Sequence, residues 1–98
     1  MVQRIANWSD LRGRVRAVGD HAEHPTFTQV TLAVDDVQPV EGFAAALDAD
    51  ARGSEVDVAV PRETAAALRL REGATVELRV RATAAGMFAH PDRTRVVG

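Results

Sequence analysis

Apolar and polar residues alternate in several separate short segments, and this alternation constrains the fold more than any other feature of the chain. It is clearest over residues 75–83, where Val76, Leu78 and Val80 alternate with charged residues. The same period of two marks residues 55–60, whose three valines fall on one side. A period of two is typical of a strand with one buried face. The chain is therefore expected to fold mainly as β-structure.

Two further strands are predicted in the N-terminal half. Residues 11–19 alternate arginines with small or apolar residues, and residues 26–34 are rich in Thr, Phe and Val, which favour strands. Gly13 lies inside the first pattern and predicts a bulge or a sharp bend. Phe27 lies in the second, and we assign it to the core side. Residues 20–25 contain two histidines and a proline, and they predict the turn between these strands.

Only one segment has clear helical spacing. Residues 62–70 follow Pro61 and are rich in alanine, a strong helix former. Gly73 is expected to follow the end of this helix, because glycine is the commonest residue just beyond a helix C-terminus. Residues 87–97 contain two short apolar pieces, which predict a final hairpin or a bent fifth strand.

The predicted elements define a fold class. A chain of 98 residues makes one domain, residues 1–98, with residues 1–10 as an N-terminal arm. Residues 35–54 are predicted to be an inserted loop that includes a short helix near residues 43–47. Four or five strands with one helix between the third and fourth are typical of an all-β, five-stranded Greek-key barrel. The lack of crossover helices excludes a parallel α/β sheet.

Composition limits the function further. The net charge of −2 argues against a general nucleic-acid binder, although all twelve basic residues are arginine. Cysteine is absent, which excludes disulfides and thiolate chemistry. No apolar run approaches the ~20 residues of a membrane span, so we expect a cytoplasmic protein without membrane insertion. Ser9 and Ser54 lack the surroundings of a catalytic nucleophile, and no enzyme is predicted.

The spacing of three blocks resembles a known family, the transport-associated OB-type domains (TOBE domains) and the related Mop molybdate-binding proteins. The family begins with an Ile-Ser-Ala-Arg-Asn arm, which Ile5 opens here, and continues with Leu-Lys-Gly-Lys-Val, which is similar to residues 11–15. The other two blocks correspond to Val60, Thr64, Leu68, Leu70 and Gly73, and to Val76, Val80, Arg81, Ala82 and Thr83. The resemblance covers about half of the chain and implies an OB-like barrel. Pro61 departs from the family, which has a threonine at that position.

The resemblance also implies a ligand and a partner. Such domains bind a tetrahedral oxyanion, such as molybdate, tungstate or sulfate, at an interface between subunits, so a homodimer or a higher homo-oligomer is expected. The site is predicted to use Arg81 and Thr83, with Thr64, Ser9 and Asn7 as further donors, because an oxyanion only accepts hydrogen bonds. The alternative for each of these residues is a structural role at a strand end, a turn or a cap.

Two other functions stay open. One is a single-strand nucleic-acid-binding OB module that uses Trp8 as an exposed platform and a stripe of arginines on two strands, Arg12, Arg14, Arg16, Arg79 and Arg81. The other is a ligand-free regulatory or scaffold domain of a transporter ATPase. Three histidines, His21, His24 and His90, would bind a metal only if the turn and the tail met, so no metal site is predicted.

Overall fold

The computed structural model describes residues 7–97. In chain order, the elements are the strands and helices β1 (Ser9–Asp20), β2 (Phe27–Pro39), β3 (Glu55–Pro61), α1 (Arg62–Leu68), β4 (Thr75–Thr83) and β5 (Gly86–Val97), with one 3₁₀ turn, Ala49–Ala51, before β3. The strands close into a barrel in the order β1-β2-β3-β5-β4. The predicted OB-like barrel with a short helix between the third and fourth strands is therefore confirmed.

The strand order makes the barrel a Greek key. All neighbouring strands are antiparallel except β3 and β5, which pair in parallel at Val58–Met87 and Ala59–Phe88. The chain therefore runs from β3 through α1 to β4, which is not the neighbour of β3 in the sheet. β5 then returns and lies between β3 and β4. This crossing places Phe88 beside Ala59 of β3, a residue far from it in sequence.

The core is aliphatic and lies inside the barrel. Its fully buried side chains are mostly valine and leucine from inward positions of the strands, among them Val15, Val30, Leu32, Val58, Val60, Val76 and Val80. Gly13 lies at a register shift between β1 and β2, as predicted for a bulge. A Cβ atom at Gly13 would come within 2.7 Å of the carbonyl oxygen of Ala33, so the backbone approach there requires glycine.

Three predicted boundaries are wrong. β1 begins at Ser9 and so includes the last two residues of the predicted arm, residues 1–10, of which residues 1–6 lie outside the described part of the chain. β2 continues to Pro39, although residues 35–39 were assigned to a loop, because they pair with the start of β1 from Ser9 to Arg12. α1 ends at Leu68 rather than just before Gly73, because Arg69 adopts a left-handed conformation with φ 51°. Leu70 is thereby turned back to pack against the core.

The middle segment and the tail also differ from simple expectations. No helix forms at residues 43–47; the only helical turn between β2 and β3 is Ala49–Ala51. Residues 86–97 form a bent fifth strand, the second of the two predicted alternatives, with a register break opposite Leu78 and Val80 of β4. Neither α1 nor the 3₁₀ turn, within residues 7–97, has the length and apolar character that a membrane-spanning helix needs.

Candidate functional site: a band of rings on the outer face

Ser9 lies in the core and supports the segment that follows β2. Its side chain is fully buried, and its hydroxyl oxygen accepts hydrogen bonds from the backbone N–H groups of Ala46 at 3.0 Å and Leu47 at 3.2 Å. The backbone N–H of Trp8 also donates to the carbonyl of Ala44. The hydroxyl thus fixes residues 44–47 to the barrel, which is the structural alternative to an oxyanion donor.

Asn7 and Thr83 are also bonded to the chain's own backbone. The amide oxygen of Asn7 accepts from the N–H of Ala82 at 2.7 Å, and its amide nitrogen donates to the Ala82 carbonyl at 3.0 Å. The hydroxyl of Thr83 accepts from the N–H of Ala85 and donates to the carbonyl of Gly86, both at 3.1 Å. These side chains hold the end of β4 and its turn in one geometry.

Arg81 differs from these neighbours because its side chain is exposed and, within residues 7–97, makes no hydrogen bond or ion pair; its backbone pairs with Phe88 of β5. Thr64 is half-buried on α1, and none of the described hydrogen bonds connects it to Arg81 or Thr83. The structure therefore gathers Asn7, Arg81 and Thr83 at the end of β4. It leaves the guanidinium of Arg81 as the group at this place that is free to bind.

The predicted arginine stripe is interrupted by carboxylates. β1 and β4 are neighbours, as the stripe requires, but Asp10 lies opposite Arg79 and accepts two hydrogen bonds from it at 2.8 and 3.2 Å. The hydrogen bond to Asp10 raises the pKa of Arg79 above its ordinary value. Arg16 lies 3.9 Å from Glu55, and both side chains are largely exposed. Arg12 and Arg14 remain exposed on the outer face of β1.

We call the surface around Asp10 and Arg79 the charge lattice. It is a groove of about 480 Å³ on the outer face, lined by alternating acids and arginines: Asp10, Arg12, Asp36, Glu77, Arg79, Asp92, Arg93 and Arg95, with Gln38 and Thr94. Glu77 binds Arg95 at 2.5 and 3.0 Å. Because acids and arginines are equal in number, the groove offers little net attraction to an anion.

Asp36 marks the edge of the charge lattice. Its carboxylate accepts a hydrogen bond from the amide of Gln38 at 2.8 Å and lies 2.7 Å from the guanidinium of Arg52. The Gln38 bond is the largest cause and lowers the pKa of Asp36; desolvation opposes it, and the charge of Arg52 lowers the pKa further. The acid is thus kept ionised and paired.

Phe27 lies on the outer face of the barrel, and its assignment to the core is wrong. Val30, Leu32 and Val34 point inward from β2, and Phe27 is out of phase with all three. Its ring is half-buried against Phe88 of β5, with the ring centroids 5.3 Å apart and the planes at 77°. The phase of the alternation in β2 was the signal in the sequence that could have identified Phe27 as outward.

The β1–β2 loop adds two imidazoles to this pair. The ring of His24 lies 6.0 Å from Phe88 and 6.3 Å from Phe27, and His21 lies 5.0 Å from His24. The Nδ1 atom of His21 accepts hydrogen bonds from the N–H groups of Glu23 at 3.2 Å and His24 at 3.1 Å. The loop therefore has a defined shape that directs His24 toward the two phenylalanines.

Arg62 anchors the other side of the same loop. Its Nε atom donates to the carbonyl of Pro25 at 2.9 Å, and its guanidinium lies 3.2 Å from the carboxylate of Asp20. The loop is thus tied to the first residue of α1. The same contact pairs Asp20, the acid at the end of β1, with a guanidinium.

A second ring group begins at Trp8. Trp8 is half-buried and is not the fully exposed platform that we predicted; its ring lies 5.4 Å from that of His90. Ser9 pairs with Val80 and Asn7 bonds Ala82, so Trp8 lies opposite Arg81. On its other side, Arg81 pairs with Phe88.

We call this surface the ring band: Trp8, His21, His24, Phe27, Phe88 and His90, with Arg81 between Trp8 and Phe88. Ala59 lies beneath it on β3, next to Phe88, and is only 3 % exposed. The band contains every histidine of the chain and its only tryptophan. Among residues 7–97, no three His, Asp or Glu side chains come close enough together to hold a metal ion.

Comparison with known proteins gives no family. No protein-family model matches the chain, and no curated protein matches it in sequence. The resemblance to TOBE and Mop domains therefore stays a prediction, and we infer the function from the geometry of the outer face.

Proposed function

We propose that this protein is a binding module for single-stranded nucleic acid and that the ring band is its binding surface. The observation that supports this most is the series of ring contacts on one outer face with an unpaired arginine among them. Bases stack on aromatic side chains with about 1–3 kcal/mol per base, largely independent of sequence. A guanidinium beside such rings suits the phosphates between the bases.

The position of the ring band on the barrel also supports the proposal. OB-type barrels bind oligonucleotides on the face of their second and third strands, between the loops that join strands 1–2 and 4–5. Phe27 lies on β2, His21 and His24 lie in the β1–β2 loop, and Phe88 follows the β4–β5 turn. The rings therefore lie on the surface that this architecture uses for single strands.

The net charge of the chain determines how tightly a single strand is expected to bind. A net charge of −2 gives no long-range attraction for a polyanion, so binding should be weak and should rely on stacking with few phosphate contacts. The paired arginines of the charge lattice, such as Arg79, are not expected to contribute. This is a different surface from the arginine stripe that the sequence suggested.

The oxyanion hypothesis keeps Arg81 as its cation, but Ser9, Asn7 and Thr83 already hold backbone groups. We therefore place it second. The proposal retains from the sequence a non-catalytic, cytoplasmic protein that associates with copies of itself.

The test uses Trp8 as the probe, because it is the only tryptophan and lies in the band. An oligothymidylate of about ten nucleotides, titrated at low salt, should change the Trp8 fluorescence. Phe88→Ala should weaken binding by about 5- to 100-fold, the loss of one stacking position. Phe43→Ala is the matched control, since Phe43 is exposed outside the band. An unchanged signal at low salt, or equal effects of the two variants, contradicts the proposal.

A further inference from the structure

The ring band consists of two groups of ring contacts. Arg81 lies between Trp8 of one group and Phe88 of the other, and His90 lies on β5 two residues beyond Phe88, with its ring 5.4 Å from that of Trp8. One group comprises Phe27, Phe88, His24 and His21, and the other comprises Trp8 and His90. None of the ring contacts described for residues 7–97 connects the two groups. Arg81 lies on β4, opposite Phe88 of β5 on one side and Trp8 on the other.

The separation of the groups fits two successive bases that are not stacked on each other. Adjacent strands lie about 4.8 Å apart, so Trp8 and Phe88, one strand to either side of Arg81, are separated by roughly 10 Å. Bases stacked in a helical strand rise by only about 3.4 Å. A strand that places one base on each group must therefore open its stack at this point, and its backbone must pass over Arg81.

Arg81 has the chemistry and the support that such a position requires. Its guanidinium is exposed, without a carboxylate partner among the described residues, and can bind a phosphate through two parallel hydrogen bonds. Asn7 fixes both backbone groups of the next residue, Ala82, and Thr83 fixes the turn beyond it. The guanidinium therefore projects from a rigid strand end.

We infer that Arg81 binds the phosphodiester between two bases, one on Trp8 and His90 and the other on Phe88 and His24. This inference rests on the proposed function and adds to it a smallest complete ligand, a dinucleotide with one anionic linkage. A mononucleotide occupies only one ring group. It is therefore expected to bind at least tenfold more weakly than the dinucleotide.

The experiment compares Arg81→Gln with Arg14→Gln, a matched loss of an exposed arginine on β1 outside the band. Oligothymidylate affinity is measured by Trp8 fluorescence at several salt concentrations. For single strands each phosphate contact contributes about −0.7 to the slope of log K against log salt. Arg81→Gln should make this slope shallower by about 0.7 and weaken binding about 5- to 10-fold at low salt, whereas Arg14→Gln should leave the slope unchanged.

A thymidine dinucleotide with an uncharged methylphosphonate linkage completes the test. It should bind the wild-type protein and Arg81→Gln equally, because the group that Arg81 contacts has lost its charge. Equal salt slopes for the two arginine variants would overturn the role of Arg81 while the proposed function stands. The same holds if the wild-type protein still binds the uncharged dinucleotide more tightly than Arg81→Gln does. If the wild-type protein binds no oligonucleotide at low salt, both proposals fail together.

Discussion

The charge lattice and the ring band share one barrel and the same strand, β4. The β4 arginine of the charge lattice is paired with a carboxylate, whereas that of the ring band has no such partner among the described residues. In the lattice, Arg79 lies opposite Asp10 and Glu77 lies opposite Arg95, so each charge meets its opposite across the sheet. Two residues further along β4, Arg81 lies opposite Phe88. Strand register decides which arginine is available, because the three cationic side chains look alike in the sequence.

The difference in register shows how a small protein with a net charge of −2 can still leave an arginine on its surface without a carboxylate partner in the described part of the chain. Paired surface charges contribute only about 0–1 kcal/mol each to stability. They nevertheless remove most of the positive charge from one face. Among the rings, Arg81 has no carboxylate partner within residues 7–97, so under the proposed function stacking rather than net charge would provide the affinity.

The largest expected effect is on the stability of the barrel, which supports both the charge lattice and the ring band. Ser9→Ala leaves the N–H groups of Ala46 and Leu47 without their acceptor, which should lower the free energy of unfolding by about 2–4 kcal/mol. Urea unfolding measures this loss. Ser54→Ala is the control, because that serine is exposed and should lose at most about 1 kcal/mol. Equal losses would show that Ser9 does not anchor residues 44–47.

A smaller effect is expected when an arginine of the charge lattice loses its carboxylate partner and becomes available to bind a phosphate. Asp10→Asn removes the charge that pairs with Arg79 and should make the salt slope of oligothymidylate binding steeper by about 0.7, with a gain of a few-fold in affinity at low salt. Asp48→Asn changes the net charge equally at an exposed residue outside the lattice. A steeper slope for Asp10→Asn alone supports the account. The same change in both variants would mean that net charge, and not pairing, governs the surface.

The smallest effect concerns the edge of the lattice and its response to acid. Hydrogen bonding by Gln38, followed by the charge of Arg52, lowers the pKa of Asp36 below its ordinary value of 3.8. A folded-state pKa below the unfolded one stabilises the protein above the unfolded value, and this contribution is lost as the pH falls through the folded value. The urea midpoint should therefore fall on acidification from about pH 5, and slightly less in Gln38→Ala. An identical fall in both proteins would assign no role to this hydrogen bond.

The fold could be predicted from the sequence where alternation was strict. Residues 75–83 were placed correctly because charged and aliphatic residues alternate there without exception. Residues 35–39 were misplaced because Asp35, Asp36 and Pro39 resemble a turn, whereas pairing with β1 keeps them extended. The end of α1 was missed because Arg69 takes a conformation that favours glycine.

The candidate site was predictable only in part. Arg81 and Trp8 were both proposed as ligand-binding residues, Arg81 for an oxyanion and for the arginine stripe and Trp8 for nucleic acid. The pairing of Arg81 with Phe88 depends on β5 entering between β3 and β4, which no local pattern shows. The hydroxyls of Ser9 and Thr83 have the right chemistry for an anion, but their backbone partners become visible only in the folded chain.

The most direct test of the account is to map which of the two surfaces contacts a single strand. A ¹⁵N-labelled protein is titrated with oligothymidylate at low salt, and the amide chemical shifts are followed by NMR. The account predicts that the largest changes lie at Trp8, His24, Phe27, Arg81 and Phe88, with little change at Arg12, Glu77 and Arg79. Changes concentrated on those three residues of the charge lattice, with the ring band silent, would contradict it.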